Sequence, residues 1–225
     1  MIRQPRRGYR FSLDAVLLAR FVKPSSRSRV LELGAGCGVI SMIVGKLICP
    51  KEVVALEIQT ELSDLAAANA RLNDLNIKVV TGDLRARKIE SIQPASFDYV
   101  VANPPFRAHG TGRQSPNASR MIARSESAAT LPDFISAATR FCRFGGKVGF
   151  VFTAARMAEL IEVLRSHRLE PKRLKLVHPL PHSAASMVLI ESSKGGGVEL
   201  LIEPPLIVHS APGVYSREAR LLLSS

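Results

Sequence analysis

Short apolar runs alternate along the chain with segments in which apolar residues recur at helical spacing. The apolar runs predict strands at residues 30–33, 53–57, 78–80, 99–102 and 147–152. The segments of helical period predict helices at residues 39–48, 62–75, 131–141 and 155–166. This alternation is typical of βα units, so we expect an α/β fold with helices on both faces of a mainly parallel sheet.

The two ends of the chain depart from this alternation. Near the N-terminus, Ser12 can cap a helix over residues 13–22, which Pro24 stops. After the last predicted helix come three strand-like runs, at residues 173–180, 186–191 and 198–203. Gly195-Gly196-Gly197 can supply positive φ for a hairpin turn between the last two runs. We therefore expect a seven-stranded, mostly parallel sheet that finishes in an antiparallel hairpin.

Composition sets bounds on the class of protein. The 225 residues are 46% hydrophobic and 22% charged, which suits one domain around one core. No stretch is apolar enough to span a bilayer and residues 1–7 lack a signal-peptide core, so we expect a soluble, cytoplasmic protein. Cys37, Cys49 and Cys142 show neither disulfide nor zinc spacing, which predicts buried, reduced thiols and no metal site.

Basic residues outnumber acidic ones. The chain has 31 Lys and Arg against 19 Asp and Glu, a formal net charge of +12. Most of the excess is arginine, whose planar guanidinium group pairs well with phosphate. A polyanionic partner and a merely well-solvated basic surface are both compatible with this charge. A monomer is the expected oligomeric state.

A glycine-rich turn, Gly34-Ala35-Gly36-Cys37-Gly38, follows the first predicted strand. Missing side chains there let the backbone approach a ligand closely, although such glycines can also serve a tight turn alone. Glu57 ends the second strand, where its carboxylate can accept hydrogen bonds from ribose hydroxyls. Asp83 follows the third strand and can accept a hydrogen bond from an adenine amino group. Together these strand ends predict a pocket for a nucleoside-like cofactor.

This arrangement resembles the class I S-adenosylmethionine methyltransferases, which implies a Rossmann-like fold and S-adenosylmethionine as the cofactor. By this resemblance, residues 34–38 wrap the methionine part, Glu57 holds the ribose and Asp83 holds the adenine. The implied cofactor-binding residues are Gly34, Ala35, Gly36, Gly38, Glu57, Asp83, Leu84 and Asn103.

The fourth predicted strand ends in Asn103-Pro104-Pro105-Phe106, beside the same crevice. An exocyclic amino nitrogen is a poor nucleophile because its lone pair is delocalised into the ring. The side-chain oxygen of Asn103 and the carbonyl of Pro104 can each accept one N–H, which directs that lone pair at the methyl group. The two prolines stiffen the turn, and Phe106 offers a face for an unstacked base. We therefore interpret these four residues as catalytic, with an ordinary turn as the alternative.

A polar segment of 20 residues, 107–126, follows this motif and has no clear period. A segment of that length inside a compact domain is usually functional or disordered. Arginines occur in it and near the N-terminus, and we expect them to contact RNA phosphates, although a solvated role is the alternative for each. The predicted substrate-binding residues are Phe106, Arg107, Arg113, Arg124 and Arg10.

Four segments resemble the bacterial family of tRNA(Val) adenine-37 N6-methyltransferases. They are residues 8–19, residues 31–38, residues 103–106 with 123–126, and residues 195–208. The likeness covers nearly the whole chain, although Phe106 stands where many relatives have Tyr. It implies N6-methylation of adenine 37 in tRNA-Val, by a methyltransferase domain at residues 30–225. An N-terminal helical segment, residues 1–29, would cover the cofactor pocket. Residues 11–14 of this segment would close over the pocket, or they would have only the structural role of beginning the helix.

The tetrapeptide Asn103-Pro104-Pro105-Phe106 names a reaction type and not a substrate, because other flat amino groups fit it equally well. By resemblance, the same motif serves enzymes that act on cytosine N4, guanine N2 and the glutamine side-chain amide. The open alternatives are a protein glutamine N5-methyltransferase, a ribosomal RNA guanine N2-methyltransferase, and a catalytically idle RNA-binding protein that retains the fold.

Overall fold

The computed structural model of the protein describes residues 2–4, 13–105 and 129–224. Within these residues the helices are α1 (Leu13–Phe21), α2 (Val39–Ile48), α3 (Thr60–Leu72), α4 (Leu131–Phe141), α5 (Met157–Ser166) and α6 (Arg217–Ser224). The strands are β1 (Arg29–Leu33), β2 (Glu52–Glu57), β3 (Ile77–Thr81), β4 (Phe97–Ala102), β5 (Cys142–Thr153), β6 (Leu169–His178), β7 (Met187–Lys194), β8 (Leu201–Ile202), β9 (Leu206–Ile207), β10 (His209–Ala211) and β11 (Val214–Tyr215).

Seven strands form the body of one sheet in the order β3-β2-β1-β4-β5-β7-β6. The first five strands of the chain pair in parallel, and β7 runs antiparallel between β5 and β6. The short strands β8 and β9 pair in parallel with β6. A separate antiparallel hairpin joins β10 and β11. The expected α/β fold, with a mostly parallel sheet and antiparallel pairing towards its C-terminal end, is confirmed.

The prediction of a hairpin turn at Gly195-Gly196-Gly197 is wrong, because these glycines do not join two antiparallel strands. Gly195 does have a positive φ of 72°, but its N–H donates to the carbonyl of Arg168, and β8 then pairs in parallel with β6. The physical reason is that β5 and β6 already occupy both edges of β7, so no edge of β7 is left for β8.

Apolar side chains pack against both faces of the sheet. On one face α4 and α5 cover a cluster that includes Phe134, Ile135 and Leu160. On the other face α1 and α2 cover a second cluster that includes Leu17 and Leu18. Burying each such side chain stabilises the fold by roughly 1.5–3 kcal/mol, so the two clusters hold the strand ends in place.

The cysteine prediction was right for two thiols and wrong for the third. Cys37 and Cys142 are buried, whereas Cys49 is exposed. Cys49 follows α2 in the left-handed conformation, with φ 49°, where the chain turns at the surface. In the part of the chain that the structure describes, no helix has both the length and the apolar character needed to cross a membrane.

Candidate active site

The polar residues at the strand ends lie along one edge of the sheet. In the order β3-β2-β1-β4-β5, the direction of strand succession reverses between β1 and β4. Open α/β sheets bind ligands at such a reversal, outside the carboxyl ends of the strands. The glycine turn follows β1 there, Glu57 ends β2, and Asn103 follows β4. We call the space between these three elements the carboxyl-edge crevice.

The glycine turn requires glycine at the positions where the sequence has it. Gly34, Gly36 and Gly38 have φ of 68°, 56° and 83°, a region that other residues rarely adopt. A Cβ at Gly38 would lie 3.1 Å from that of Ala66 on α3. The N–H groups of Gly34 and Ala35 both donate to the carbonyl of Leu56, at 2.9 and 3.0 Å. The turn is therefore fixed between α3 and the end of β2.

Glu57 is 5% exposed, and both of its carboxylate oxygens hold backbone N–H groups. Its Oε2 accepts from Gly36 at 2.8 Å, and its Oε1 accepts from Gln59 at 2.9 Å. A carboxylate oxygen has two lone pairs, so each oxygen can accept one further hydrogen bond. Glu57 thus fixes the glycine turn and still offers two acceptors to a ligand in the crevice.

Glu32, near the end of β1, is a second buried carboxyl group, to which the sequence analysis assigned no role. It is 2% exposed, and its Oε2 accepts the N–H and the hydroxyl of Ser41 at 2.8 and 2.5 Å. Burial raises its pKa from 4.5 to about 7, the negative charge of Glu57 adds to the rise, and the bonds from Ser41 oppose it. A carboxyl residue on a buried strand two positions before the glycine turn was the signal that would have identified it.

A cavity of about 10 Å³ lies between the glycine turn and Asn103. This volume is close to that of a single water molecule. The residues around it include Ala15, Glu32, Gly34, Ala35 and Asn103. Asn103 and the glycine turn therefore border the same space.

Asn103 lies directly after β4 and meets the first turn of α1. Its Nδ2 donates a hydrogen bond to Oδ2 of Asp14, at 3.3 Å. Asp14 is 6% exposed; the sequence placed it only within residues 11–14, which were expected to close over the pocket or begin the helix, and gave it no individual role. Pro104 is buried and Pro105 is exposed. Asn103 is thus brought to the crevice beside α1, and the two prolines follow it.

Asp83 and Leu84 follow β3 at the far side of the crevice. The carboxylate of Asp83 accepts hydrogen bonds from the guanidinium group of Arg85, the shortest at 2.7 Å, and these bonds hold the pKa of Asp83 below its ordinary value. Leu84 is buried, and its carbonyl accepts from Nη2 of Arg140 at 2.6 Å. Asp83 is therefore ionised, and its carboxylate is already hydrogen-bonded to Arg85.

The start of the chain lies next to the glycine turn. Asn69 on α3 is fully buried, and its Oδ1 accepts from the N–H of Arg3 at 2.8 Å. Its Nδ2 donates to the carbonyls of Arg3 and Cys37, at 2.9 and 3.1 Å. Asn69 thus ties residues 2–4 to the turn, a contact that no local pattern in the sequence indicated.

Several predicted residues lie outside the described part of the chain. They are Arg10, Phe106, Arg107, Arg113 and Arg124, together with Phe11 and Ser12. Their proposed roles stay predictions. Among the residues that the structure does describe, no group of three or more His, Cys, Asp or Glu side chains is placed to hold a metal ion.

Comparison with known proteins identifies the family. A sequence model of the methyltransferase small domain matches residues 13–165, from α1 almost to the end of α5. The chain belongs to the methyltransferase small domain family. The glycine turn, Glu57, Asp83 and Asn103 all lie within the matched region, and so does Asp14.

Individual relatives agree with the methyltransferase small domain assignment. The tRNA1(Val) (adenine(37)-N6)-methyltransferase of Porphyromonas gingivalis is 27% identical over 218 residues, which cover 93% of this chain and 85% of the relative. A crystal structure described as a predicted O-methyltransferase from Agrobacterium tumefaciens superimposes with a TM-score of 0.74 at 25% identity, covering 94% of this chain and 96% of that one. The geranyl diphosphate C-methyltransferase of Streptomyces coelicolor, solved with S-adenosyl-L-homocysteine, has a TM-score of 0.57 at 12% identity, covering 80% and 76%. This last likeness bears on the fold alone.

Proposed function

We propose that this chain is an S-adenosylmethionine-dependent methyltransferase that methylates N6 of an adenine in tRNA, at position 37 of tRNA-Val. The observation that carries the proposal is the meeting of the glycine turn and Asn103 around one small cavity at the carboxyl edge. The name of the Porphyromonas gingivalis relative supports the choice of tRNA and of adenine N6. In this proposal residues 30–225 form the methyltransferase domain, residues 1–29 cover the crevice, and the protein acts as a cytoplasmic monomer.

The charge of the crevice favours a cationic cofactor. Two buried carboxyl groups, those of Glu32 and Glu57, lie in or beside it, although the chain as a whole carries +12. The charge of a third, Asp83, is largely balanced by Arg85. Acidic side chains repel the phosphates of a dinucleotide and attract positive charge. S-adenosylmethionine supplies a methyl group on a positively charged sulfur and also carries an ammonium group.

The remaining hydrogen-bonding capacity of the crevice suits the rest of that cofactor. Glu57 keeps one acceptor position on each oxygen after binding Gly36 and Gln59, which matches two adjacent ribose hydroxyls. Asp83 can accept from the adenine amino group while Arg85 holds its carboxylate in place. At Gly34, Gly36 and Gly38 the backbone can approach the methionine part because these residues have no side chain.

Asn103 and Pro104 activate the substrate by accepting hydrogen bonds. The amide oxygen of Asn103 and the carbonyl of Pro104 each accept one N–H of the amino group, which draws the nitrogen lone pair out of conjugation with the ring. The lone pair would then be free to take the methyl group that S-adenosylmethionine supplies when bound, with the neutral thioether as the leaving group and without a strong base. The amino nitrogen would lose one proton to solvent water as the new N–C bond forms.

Methyl transfer to defined acceptors tests this function. Purified protein is incubated with labelled S-adenosylmethionine and with unmodified tRNA, a ribosomal RNA fragment or a glutamine-containing protein. We expect label in tRNA alone, and no label with Asn103→Ala, whose cofactor affinity should fall far less than its transfer activity. Label in the glutamine protein, or an Asn103→Ala variant that loses cofactor binding and transfer equally, would contradict the proposal.

A further inference from the structure

The contact between Asp14 and Asn103 joins two parts of the chain that are 89 positions apart in sequence. Asp14 lies in the first turn of α1, and Asn103 follows β4 at the crevice. The Nδ2 of Asn103 is the donor and Oδ2 of Asp14 is the acceptor, at 3.3 Å. Asp14 is only 6% exposed, so water screens this interaction weakly.

The two ends of an asparagine amide differ in chemistry, since the oxygen accepts hydrogen bonds and the NH₂ group donates two. A half-turn of the amide of Asn103 would exchange the two ends. The amino group of a base brings N–H donors to the crevice, so only the amide oxygen of Asn103 can receive it. A carboxylate behind the amide attracts the NH₂ end and repels the oxygen. Asp14 therefore favours the orientation in which the NH₂ end of Asn103 faces α1 and the amide oxygen faces away from it.

We propose that Asp14 is a positioning residue for methyl transfer, which holds the amide oxygen of Asn103 towards the amino nitrogen of the substrate. The inference rests on the proposed function, because it assigns Asp14 a role in the same reaction. A hydrogen bond to a charged group favours one arrangement over the other by roughly ten- to a hundredfold. Asp14 acts through Asn103 and does not itself accept the substrate proton.

A purely structural role for Asp14 is the competing explanation. An acidic residue in the first turn of a helix stabilises it through the helix dipole. Glu61 occupies the first turn of α3 in the same way, and it is exposed. The Glu61→Ala variant is therefore a matched control for helix stabilisation. We expect it to keep the wild-type kcat.

The Asp14→Ala variant measures the positioning effect. Without the carboxylate the amide of Asn103 can turn and shift, and a misplacement of about 1 Å can cost roughly a hundredfold in rate. We expect kcat for tRNA to fall by about 10- to 100-fold, while KM for tRNA and Kd for S-adenosylmethionine change by less than about threefold. A helix defect would instead lower the melting temperature and weaken cofactor binding along with kcat.

Exchanging the two side chains provides the decisive comparison. Asn103→Asp alone places two carboxyl groups in contact, so they must share a proton, and kcat should become strongly dependent on pH. In the Asp14→Asn, Asn103→Asp double variant the new amide at position 14 can donate to the new carboxylate at position 103. One oxygen of that carboxylate still faces the substrate. We expect kcat to recover to within about tenfold of wild type, with the pH dependence removed.

The outcomes separate this inference from the proposed function. An active wild-type protein whose kcat is unchanged by Asp14→Ala would overturn the role of Asp14 alone. A double variant no more active than Asn103→Asp would do the same. A wild-type protein that binds S-adenosylmethionine but methylates no RNA would overturn both. Loss of kcat in Asp14→Ala together with recovery in the double variant would support the inference.

Discussion

Replacing Glu32 by Gln separates the charge of this buried group from its shape. In the wild type, one oxygen of Glu32 accepts both hydrogen bonds from Ser41, at 2.8 and 2.5 Å. A Gln side chain has nearly the same size, and its amide oxygen can accept both bonds. The Glu32→Gln substitution therefore removes the ionisable group and preserves the contact between β1 and α2.

The pKa of Glu32 determines how the substitution should change stability. Below about pH 4.5 the carboxyl group is protonated in the folded and the unfolded protein, so ionisation costs nothing. Between pH 4.5 and about 7 it ionises in the unfolded chain first, since burial holds its folded pKa at about 7. Wild-type stability is lost over this range as pH rises. At about 1.36 kcal/mol per pKa unit, the difference between 4.5 and about 7 corresponds to about 3 kcal/mol.

Urea unfolding of both proteins from pH 4.5 to pH 8 measures this cost. The free energy of unfolding of Glu32→Gln minus that of the wild type should rise by about 3 kcal/mol across the range and then level off. Charges distant from Glu32 titrate equally in both proteins, so they cancel in the difference. A difference that stays constant with pH would refute the claim that Glu32 is a desolvated carboxyl group beside Glu57.

Three further outcomes follow from the geometry. Gly38→Ala should lower the free energy of unfolding, measured by urea titration, by about 1–2 kcal/mol, because Gly38 has φ 83° and a Cβ there would lie 3.1 Å from that of Ala66. The control variant Gly197→Ala should be nearly neutral, because there is open space around a Cβ at that position. Tyr99→Phe should lower the free energy of unfolding by about 1–3 kcal/mol, measured in the same way, because it deprives the buried carboxylate of Glu191 of a donor. The affinity for tRNA, measured by fluorescence anisotropy, should weaken by at least about a hundredfold between 50 and 200 mM salt, while the affinity for S-adenosylmethionine changes by less than about threefold. A tRNA affinity that does not change with salt would contradict contact with the phosphates.

Strands β1, β2 and β4 were predictable because they are buried on both faces over almost their whole length. Val53 and Val100 belong to continuous apolar runs, and the run at Val30 is interrupted only by Glu32; each run is a strand in the structure. The strands begin earlier than expected where polar residues complete the pairing, as at Arg29 and Glu52. The predicted bounds of α2 and α4 agree with those observed.

The edge pairing and several site contacts depend on tertiary structure and had no local signal. The position of β8 follows from the occupied edges of β7, which three consecutive glycines do not reveal. Asp14 meets Asn103, and Asn69 meets Arg3, only because the fold brings distant segments together. Glycines and strand-end carboxylates could be recognised because their chemistry is local. The partners that orient them could not.

Nucleoside analysis of a methylated tRNA tests the central claim most directly. Unmodified tRNA-Val is incubated with the protein and S-adenosylmethionine, digested to nucleosides and examined by mass spectrometry, with Asn103→Ala in parallel. We expect new N6-methyladenosine with the wild type, located at adenine 37, and none with Asn103→Ala. A methylated nucleoside other than N6-methyladenosine, or unchanged tRNA from a protein that binds S-adenosylmethionine, would contradict the claim.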